Sequence, residues 1–178
     1  AELRQAWANM MEIQAAISSF GKSKECMPLE QQNTVYNQLL HRLTMWRSNA
    51  PKCLQMLGRL DDESLRNYQY QDIVEYAGCL EAYEKATIIF LHKVAAAGRP
   101  DWQARGPRLQ VMASRILALI GKLAADVGQL AVLWPLFVAG RETRNESEQN
   151  WVRQTMVEIE RFGFKVRCFH YYSGSSGH

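Results

Sequence analysis

The 178-residue chain has no run of about 18 apolar residues, the length that a transmembrane helix requires. The most apolar stretch, Leu130 to Gly140, is shorter than that. No basic segment followed by an apolar one and a small-residue cleavage site opens the chain, as a secretory signal would. The 21 basic residues are scattered among 18 acidic ones, for a net charge of only +3. We therefore predict neither membrane association nor nucleic-acid binding by this chain itself.

Cysteine is scarce, and its spacing fits no ligand pattern. The four cysteines match no zinc, haem or thioredoxin motif; they are Cys26, Cys53, Cys79 and Cys168. This usage favours reduced, mostly buried thiols in an intracellular protein. Cys79 follows Gly78 inside a predicted helix and is interpreted as a packing residue rather than an activated thiol.

The sequence also lacks the residue patterns that catalysis and metal binding require. His41, His92 and His170 show neither the His-x-x-x-His nor the His-Glu-x-x-His spacing of local metal sites. There is no glycine-rich phosphate loop and no Gly-x-Ser-x-Gly motif. The consecutive acids at Asp61–Glu63 lack the spacing of magnesium ligands and are interpreted as a helix start. We predict no catalytic residue, no metal site and no cofactor, and a small helical enzyme is the last of our hypotheses.

What the sequence does contain is apolar residues at helical spacing. From Leu3 to Phe20 they recur every three or four positions, which is typical of one helix face. Strand signals, such as sustained alternation or an Asn-Gly hairpin, are almost absent, and no repeat of fixed period indicates a solenoid. Hydrophobic residues make up 47% of the chain, enough to form a core. The predicted fold class is all-α, a single irregular helical bundle of about six or seven helices.

Glycine, proline and polar caps set the predicted helix bounds. The predicted helices are Glu2–Phe20, ended by Gly21; a second opened by Pro28 and broken at Asn49–Pro51; a long central one at about Ser64–Ala97; one opened by Pro107 and running to about Gly128; a short one within Gln129–Gly140 with Pro135 in its first turn; and one at about Ser147–Phe162, ended by Gly163. A short apolar segment, Leu54–Leu60, lies between the second helix and the long one.

Two parts of the chain are distinguished by composition. Residues 1–172 are predicted to form the helical domain. Because the first residue is Ala1 rather than Met, we expect it to be a fragment of a longer protein. Residues 173–178 are rich in Gly and Ser and end in His178, which indicates a linker and tag remnant.

Tryptophan and methionine are prominent, with five and seven copies. Most of the tryptophans fall on predicted core faces, so packing is the first interpretation. The alternative is a deformable apolar pocket between helices that holds a lipid-like or aromatic ligand. The sequence leaves both open.

Two segments carry a resemblance to a known family. Residues 133–142 read Leu-Trp-Pro-Leu-Phe-Val-Ala-Gly-Arg-Glu, similar to the Trp-Pro-Leu-Phe-x-Ala-Gly-x-Glu signature of fungal-specific transcription factor regulatory domains. Residues 83–92 read Tyr-Glu-Lys-Ala-Thr-Ile-Ile-Phe-Leu-His, which resembles that family's Tyr-x-x-Ala-x-x-x-Tyr-Leu-His pattern, with Phe90 in place of the second Tyr. These domains form the C-terminal helical region of zinc binuclear-cluster regulators. The resemblance covers about residues 73–164.

The resemblance implies a non-enzymatic regulatory domain of a fungal transcription factor. It would bind a small apolar metabolite between helices and thereby control transcription activation. The ligand-binding candidates are His92, Trp134 and Phe137, which belong to the resembling motifs and pair apolar bulk with a polar group. DNA would be contacted only through a zinc-cluster domain that this chain does not contain. The implied location is nuclear, with shuttling from the cytoplasm.

A second hypothesis keeps the family but removes the ligand. The helices would then form a rigid surface for a co-regulator protein or for a homodimer. Trp102, predicted to be exposed in a loop, would be its anchor, because tryptophan is enriched among the residues that dominate binding energy at interfaces.

Overall fold

The structure, a computed structural model, describes residues 2–67, 71–99, 102, 106–123 and 131–161. In these ranges the regular structure is helical, with a 3-10 turn at Lys24–Cys26 and no strand. The helices are α1 (Glu2–Ser23), α2 (Leu29–Ser48), α3 (Lys52–Leu57), α4 (Asp62–Asn67), α5 (Gln71–Ala96), α6 (Gly106–Ile120), α7 (Leu133–Glu142) and α8 (Glu146–Arg161). The predicted all-α bundle is confirmed.

Helix α5 is the central element of the bundle. It packs against α1, α2, α3, α6 and α7, while α6 also contacts α4 and α7, and α8 lies on α7. The largest fully buried side chains come from most of these helices and form the core; they are Met10, Ile17, Leu54, Leu57, Leu65, Leu80, Ile89, Leu91, Ile116, Leu119, Ile120 and Leu136. A helix buried on several sides is expected to carry apolar residues around most of its circumference, as α5 does.

Helix starts follow the polar and proline signals of the sequence. The Asp61 carboxylate accepts a hydrogen bond from the Ser64 backbone N–H at 2.7 Å, and the Asn145 side chain accepts one from the Glu148 N–H at 3.2 Å. Both are N-cap contacts. Pro28 immediately precedes α2, and Pro135 lies in the first turn of α7, where a missing N–H removes no helical hydrogen bond. These predicted starts are confirmed.

Gly21 has a different role from the predicted one. Helix α1 continues through it to Ser23, so the prediction that Gly21 ends the helix is wrong. A Cβ built at Gly21 would lie 3.2 Å from Val94 Cγ1, so the absence of a side chain lets α1 approach α5 closely. The described glycine with a positive φ is Gly98, at 76°, just after α5.

Other predicted bounds differ from the observed ones by several residues. The segment predicted as one helix at Ser64–Ala97 contains most of α4 and all of α5, and residues 68–70 between them lie outside the described ranges. Helix α6 ends at Ile120, well before Gly128, because the backbone turns at Gly121. Gly128, Phe162, Gly163 and the proposed tag at 173–178 also lie outside the described ranges.

Candidate functional site

Helix α7 contains the Trp-Pro-Leu-Phe segment and places its residues in two environments. Leu136 and Ala139 are fully buried, and Pro135 is buried beside them. At the end of the helix, the buried Glu142 carboxylate pairs with Lys93 Nζ of α5 at 2.7 Å. Trp134 and Phe137 differ from these residues, because both are only half-buried. The helix is therefore anchored by one side and presents two aromatic rings at its edge.

Trp134 belongs to a set of rings from three helices that we call the aromatic face, defined as Trp7, Tyr83, Phe90 and Trp134. The Trp7 and Tyr83 ring centroids are 4.6 Å apart in an edge-to-face arrangement. Trp134 lies 5.6 Å from Tyr83 and 6.1 Å from Phe90. These separations are typical of favourable aromatic pairs. All four side chains are half-buried, so the face joins α1, α5 and α7 and still reaches the surface.

Tyr83 adds a polar group to the aromatic face. Burial, and secondarily the nearby Cys79 thiol, raises the pKa of the Tyr83 hydroxyl above its ordinary value. The hydroxyl therefore stays protonated at neutral pH and can donate as well as accept a hydrogen bond.

Phe137 lies one helical turn beyond Trp134, on the same side of α7. The Arg141 guanidinium lies over the Phe137 ring at 5.7 Å from its centroid, within cation–π range. The structure thus brings two of the three predicted ligand-binding residues together, on one helix and next to the aromatic face.

His92 is in a separate cluster. Its Nδ1 lies 2.9 Å from the Tyr36 hydroxyl of α2. Residue 92 is two positions after Phe90, roughly 200° around the helix, so it points away from the aromatic face.

The Tyr36 ring also meets Trp102 edge-to-face at 4.5 Å, and the Arg99 guanidinium lies 4.6 Å from the Trp102 ring centroid. Trp102 is therefore half-buried among side chains, and the prediction that it is exposed is wrong.

Among the clefts lined by described residues are two that could hold a small molecule. One, of about 670 Å³, lies between α1 and α2 and is lined by Gln5, Asn9, Glu12, His41, Arg42 and Trp46 among others. The other, of about 420 Å³, lies between α4, α6 and α8. His92, Trp134 and Phe137 line neither cleft.

Sequence reasoning missed a buried ionic network centred on Glu81 and Glu84 of α5. Arg115 of α6 donates from Nε to Glu81 at 2.9 Å and from Nη1 to Asp62 at 3.0 Å. Arg47 of α2 donates through two nitrogens to the Glu84 carboxylate, with Nε at 2.7 Å from Oε1. Only 1% of Glu81 and 4% of Glu84 is exposed, so these pairs are largely desolvated. Such groups are strongly destabilising once a partner is lost.

The same two arginines also hold α3. Arg115 Nη2 donates to the Leu57 carbonyl at 3.0 Å, and Arg47 Nη1 donates to the Leu54 carbonyl at 3.2 Å. Each carbonyl also accepts a backbone N–H at 3.0 Å, from Gly58 for Leu54 and from Leu60 for Leu57, so the arginines are second donors at the end of α3. Arg115 and Arg47 therefore couple the end of a six-residue helix to the centre of the bundle.

The electrostatics of the network follow from burial and from its partners. Burial lowers the pKa of Arg115, but its hydrogen bonds and charge contacts with Glu81 and Asp62 outweigh that effect, so the net shift is upward. Burial lowers the pKa of Arg47 and of Lys85, which lies 3.7 Å from Glu81 Oε1. The second Glu81 oxygen, Oε2, is buried and has no hydrogen-bond partner among the described residues.

A signal for this network was present in the sequence. Arg115 is the one charged residue in the run from Val111 to Ile120, and Glu84 occupies a position in the apolar stripe of the long helix. Charged residues in such runs are almost never fully buried unless they are paired. Partners from α2 and α4, however, are set by tertiary packing and not by local spacing.

The described cysteines are free thiols, but they are less buried than predicted. Cys26 is exposed, because it ends the 3-10 turn on the surface, while Cys53 and Cys79 are half-buried; Cys168 lies outside the described residues. Burial, and secondarily the Glu75 carboxylate, raises the pKa of Cys79 from 9.0 to about 11.

Cys79 should therefore be a slow nucleophile. At pH 8 its thiolate fraction is roughly a hundredfold lower than that of a thiol with an ordinary pKa, because only the thiolate reacts. We expect iodoacetamide to label Cys26 first and Cys79 only slowly, as followed by peptide mass spectrometry over time. Labelling in urea is the control, since unfolding should equalise the two rates. Equal rates in the folded chain would contradict the raised pKa.

Neither a metal site nor a membrane span is found in the described part of the chain. No group of three or more His, Cys, Asp or Glu side chains there is arranged to hold a metal ion. Helices of that part also lack the combined length and apolarity needed to cross a bilayer.

Comparison with known proteins gives one match. A family model described as a fungal specific transcription factor domain matches residues 8–169. No curated protein and no solved structure matches the chain. The matched range includes the ionic network, both segments in which the resemblance was noted, and Tyr83, Phe90 and Trp134 of the aromatic face, while Trp7 lies one residue before it.

Proposed function

Because the chain belongs to the fungal specific transcription factor domain family, we propose that it senses a small apolar effector at the aromatic face and so controls transcription activation. Family membership itself implies a regulatory role and not an enzymatic one. The effector, its location and the response are our proposal. The proposal is supported by the aromatic contacts that link α1, α5 and α7. The rings that make these contacts are half-exposed.

The chemistry of the aromatic face suits an apolar molecule with one polar group. Trp7, Phe90 and Trp134 offer flat apolar surface, and Phe137 extends it by one turn of α7. The Tyr83 hydroxyl would hydrogen-bond to the polar group of the effector and fix its orientation. Ligand sites combine mostly apolar walls with few polar groups in this way.

The proposed mechanism is a shift in helix packing. The aromatic face takes its side chains from three helices, so an effector that contacts all three binds best when they are packed together. An effector shifts a conformational equilibrium only by its difference in affinity for the two states. The effector would therefore stabilise the arrangement in which α7 is docked on α5 and α1.

We also propose His92 as a ligand contact, at a place separate from the aromatic face. Its bond to Tyr36 and its place on the opposite side of α5 separate it from the aromatic face. Replacement of His92 by Gln would test it, because an unchanged effector response in a folded variant would remove His92 from the proposal.

The first experiment is native mass spectrometry of the purified chain, followed by the same sample after denaturation. We expect a mass excess over the 20.4 kDa chain that disappears on denaturation, and the size of that excess would narrow the class of effector. If the purified chain shows no bound ligand in any preparation, that result would argue against binding of an effector at the aromatic face.

Replacing Trp134 or Phe137 with Ala should reduce effector retention about tenfold or more, because burying a large apolar side chain against a ligand is worth about 1.5–3 kcal/mol and about 1.4 kcal/mol changes an equilibrium constant tenfold. Tyr76→Ala is the matched control, since Tyr76 is an aromatic residue of α5 that is 72% exposed and outside the aromatic face. Full retention by folded Trp134→Ala and Phe137→Ala variants would place the effector elsewhere.

The alternative function is a ligand-free interaction module that binds a co-regulator or a second copy of the chain. It is favoured by the same half-exposed rings, since aromatic residues are enriched at protein interfaces. Trp102, half-buried beside Tyr36 and Arg99, remains one candidate anchor of such an interface, and Trp134, half-buried on the aromatic face, is a second. Analytical ultracentrifugation distinguishes the two functions: a concentration-dependent dimer that is lost in Trp134→Ala, without bound ligand, would support the alternative.

Family membership suggests that the protein acts in the nucleus. We further propose that it shuttles from the cytoplasm and contacts DNA only through a zinc-cluster domain outside this chain. Imaging of a tagged full-length protein with and without the effector would test the shuttling.

A further inference from the structure

The cleft between α4, α6 and α8 has the properties of a small-molecule site. Its volume is about 420 Å³, within the range of roughly 300–1,000 Å³ typical of such sites. It lies away from the aromatic face, and its lining includes Asp62, Arg66, Leu117, Lys122, Glu148 and Trp151.

The charges around this cleft are balanced. Asp62 and Glu148 supply two carboxylates, and Arg66 and Lys122 supply two cations. A simple anion would be repelled by the carboxylates, and a simple cation by the basic side chains. A small molecule that carries both charges would find a partner for each, so the cleft favours a zwitterion.

Asp62 and Arg66 lie one turn apart on the same side of α4, a spacing at which side chains can meet. They do not pair with each other. Instead the Asp62 carboxylate accepts a hydrogen bond from Arg115 Nη1 of α6 at 3.0 Å. The Arg66 side chain makes no hydrogen bond or ion pair with a described residue. The Asp62 side chain is still 41% exposed, so it can accept a second partner from the cleft. Arg66 is exposed and can bind a carboxylate.

The rest of the cleft is apolar and open. Leu117 and Ala118 form part of the floor, and the half-buried Trp151 ring forms a wall. A Cβ at Gly121 would lie 3.3 Å from the Leu117 carbonyl oxygen and 4.0 Å from Trp151 Cζ2. Glycine at this position therefore keeps the space beside the Trp151 ring free for a ligand side chain.

We propose that this cleft binds a free α-amino acid. Its ammonium group pairs with Asp62, its carboxylate pairs with Arg66, and its side chain packs on Trp151 and Leu117. An α-amino acid carries its ammonium and carboxylate groups on the same carbon atom, which suits two partners one helical turn apart, and its size suits the volume of the cleft.

The test uses the whole chain and the twenty free L-amino acids, each titrated separately by isothermal calorimetry up to millimolar concentration. We expect at least one of them to bind with one-to-one stoichiometry. Its N-acetyl derivative, which lacks the ammonium group, and its amide, which lacks the carboxylate, should each bind at least about tenfold more weakly, because each loses a charge-assisted hydrogen bond.

Variants then locate the binding site. Arg66→Gln should weaken binding about tenfold or more without affecting folding, because Arg66 is exposed and has no described partner. Arg59→Gln is the matched control, since Arg59 is exposed and does not line the cleft. Glu63→Gln is a second control, since Glu63 is an exposed charged residue of α4 that does not line the cleft.

Three results would overturn the proposal: no amino acid binds at millimolar concentration, the blocked derivatives bind as well as the free amino acid, or Arg66→Gln binds as well as the parent chain. None of these results bears on the aromatic face. A failure here is therefore distinguishable from a failure of the proposed effector site, which is probed by Trp134→Ala.

Discussion

Replacing Arg115 with Met is expected to lower the free energy of unfolding by about 3–5 kcal/mol, because it leaves Glu81 charged, buried and without its main partner. Native domains are stable by only about 5–15 kcal/mol, so the variant should lose a large share of its stability. The Leu57 carbonyl would keep its bond from the Leu60 N–H but lose the one from Arg115, which weakens the attachment of α3 to the bundle. Urea denaturation followed by far-UV circular dichroism measures the change.

Two variants make this result interpretable. Arg108→Met changes the same residue type on α6 at an exposed position and should cost less than about 0.5 kcal/mol. The double variant Arg115→Met with Glu81→Met removes both charges and should recover much of the lost stability, since apolar side chains of similar volume can replace a buried ion pair. A loss below about 1 kcal/mol in the single variant would show that the network is well solvated.

The second large effect is expected at Leu136, which is fully buried on α7. Leu136→Ala should lower the free energy of unfolding by about 2–5 kcal/mol, because it removes buried methyl groups and leaves a cavity. Its neighbour Phe137 is half-buried, so Phe137→Ala should cost only about 1–2 kcal/mol. The pair tests whether the segment Trp-Pro-Leu-Phe divides into a core side and a surface side.

Denaturation curves of the two variants, recorded under the same conditions, provide the measurement. Similar losses for Leu136→Ala and Phe137→Ala would mean that Phe137 is a core residue and not part of an accessible face. The effector site proposed at Trp134 would then need a pocket that opens by moving α7.

Most of the fold could be predicted from the sequence because its signals are local. Apolar residues spaced by three or four positions predicted α1, α2 and α5, and caps such as Asp61 and Asn145 predicted where helices begin. Gly21 was misread for the same reason: local rules say that glycine often ends a helix, whereas its role here is set by Val94, more than 70 residues away.

The candidate site could be predicted only in part. The resemblance identified the segment that contains Trp134 and Phe137, and the structure places both at the edge of α7. The sequence could not reveal that His92 faces α2, because the direction of His92 depends on which side of α5 each neighbouring helix occupies. The contacts of Arg115 with three separate segments of the chain are likewise a property of tertiary packing.

The ionic network has a consequence for how this sequence can change over generations. Its three acidic and three basic side chains, Asp62, Glu81, Glu84, Arg47, Lys85 and Arg115, sum to zero charge, and Glu81, Glu84 and Arg115 among them are buried. A lineage that loses one partner of the buried carboxylates Glu81 and Glu84 is expected to pass through a less stable intermediate unless a second change removes the unpaired charge. Positions 81 and 115, and positions 47 and 84, are therefore expected to covary among descendants of this gene, while the exposed position 108 drifts freely.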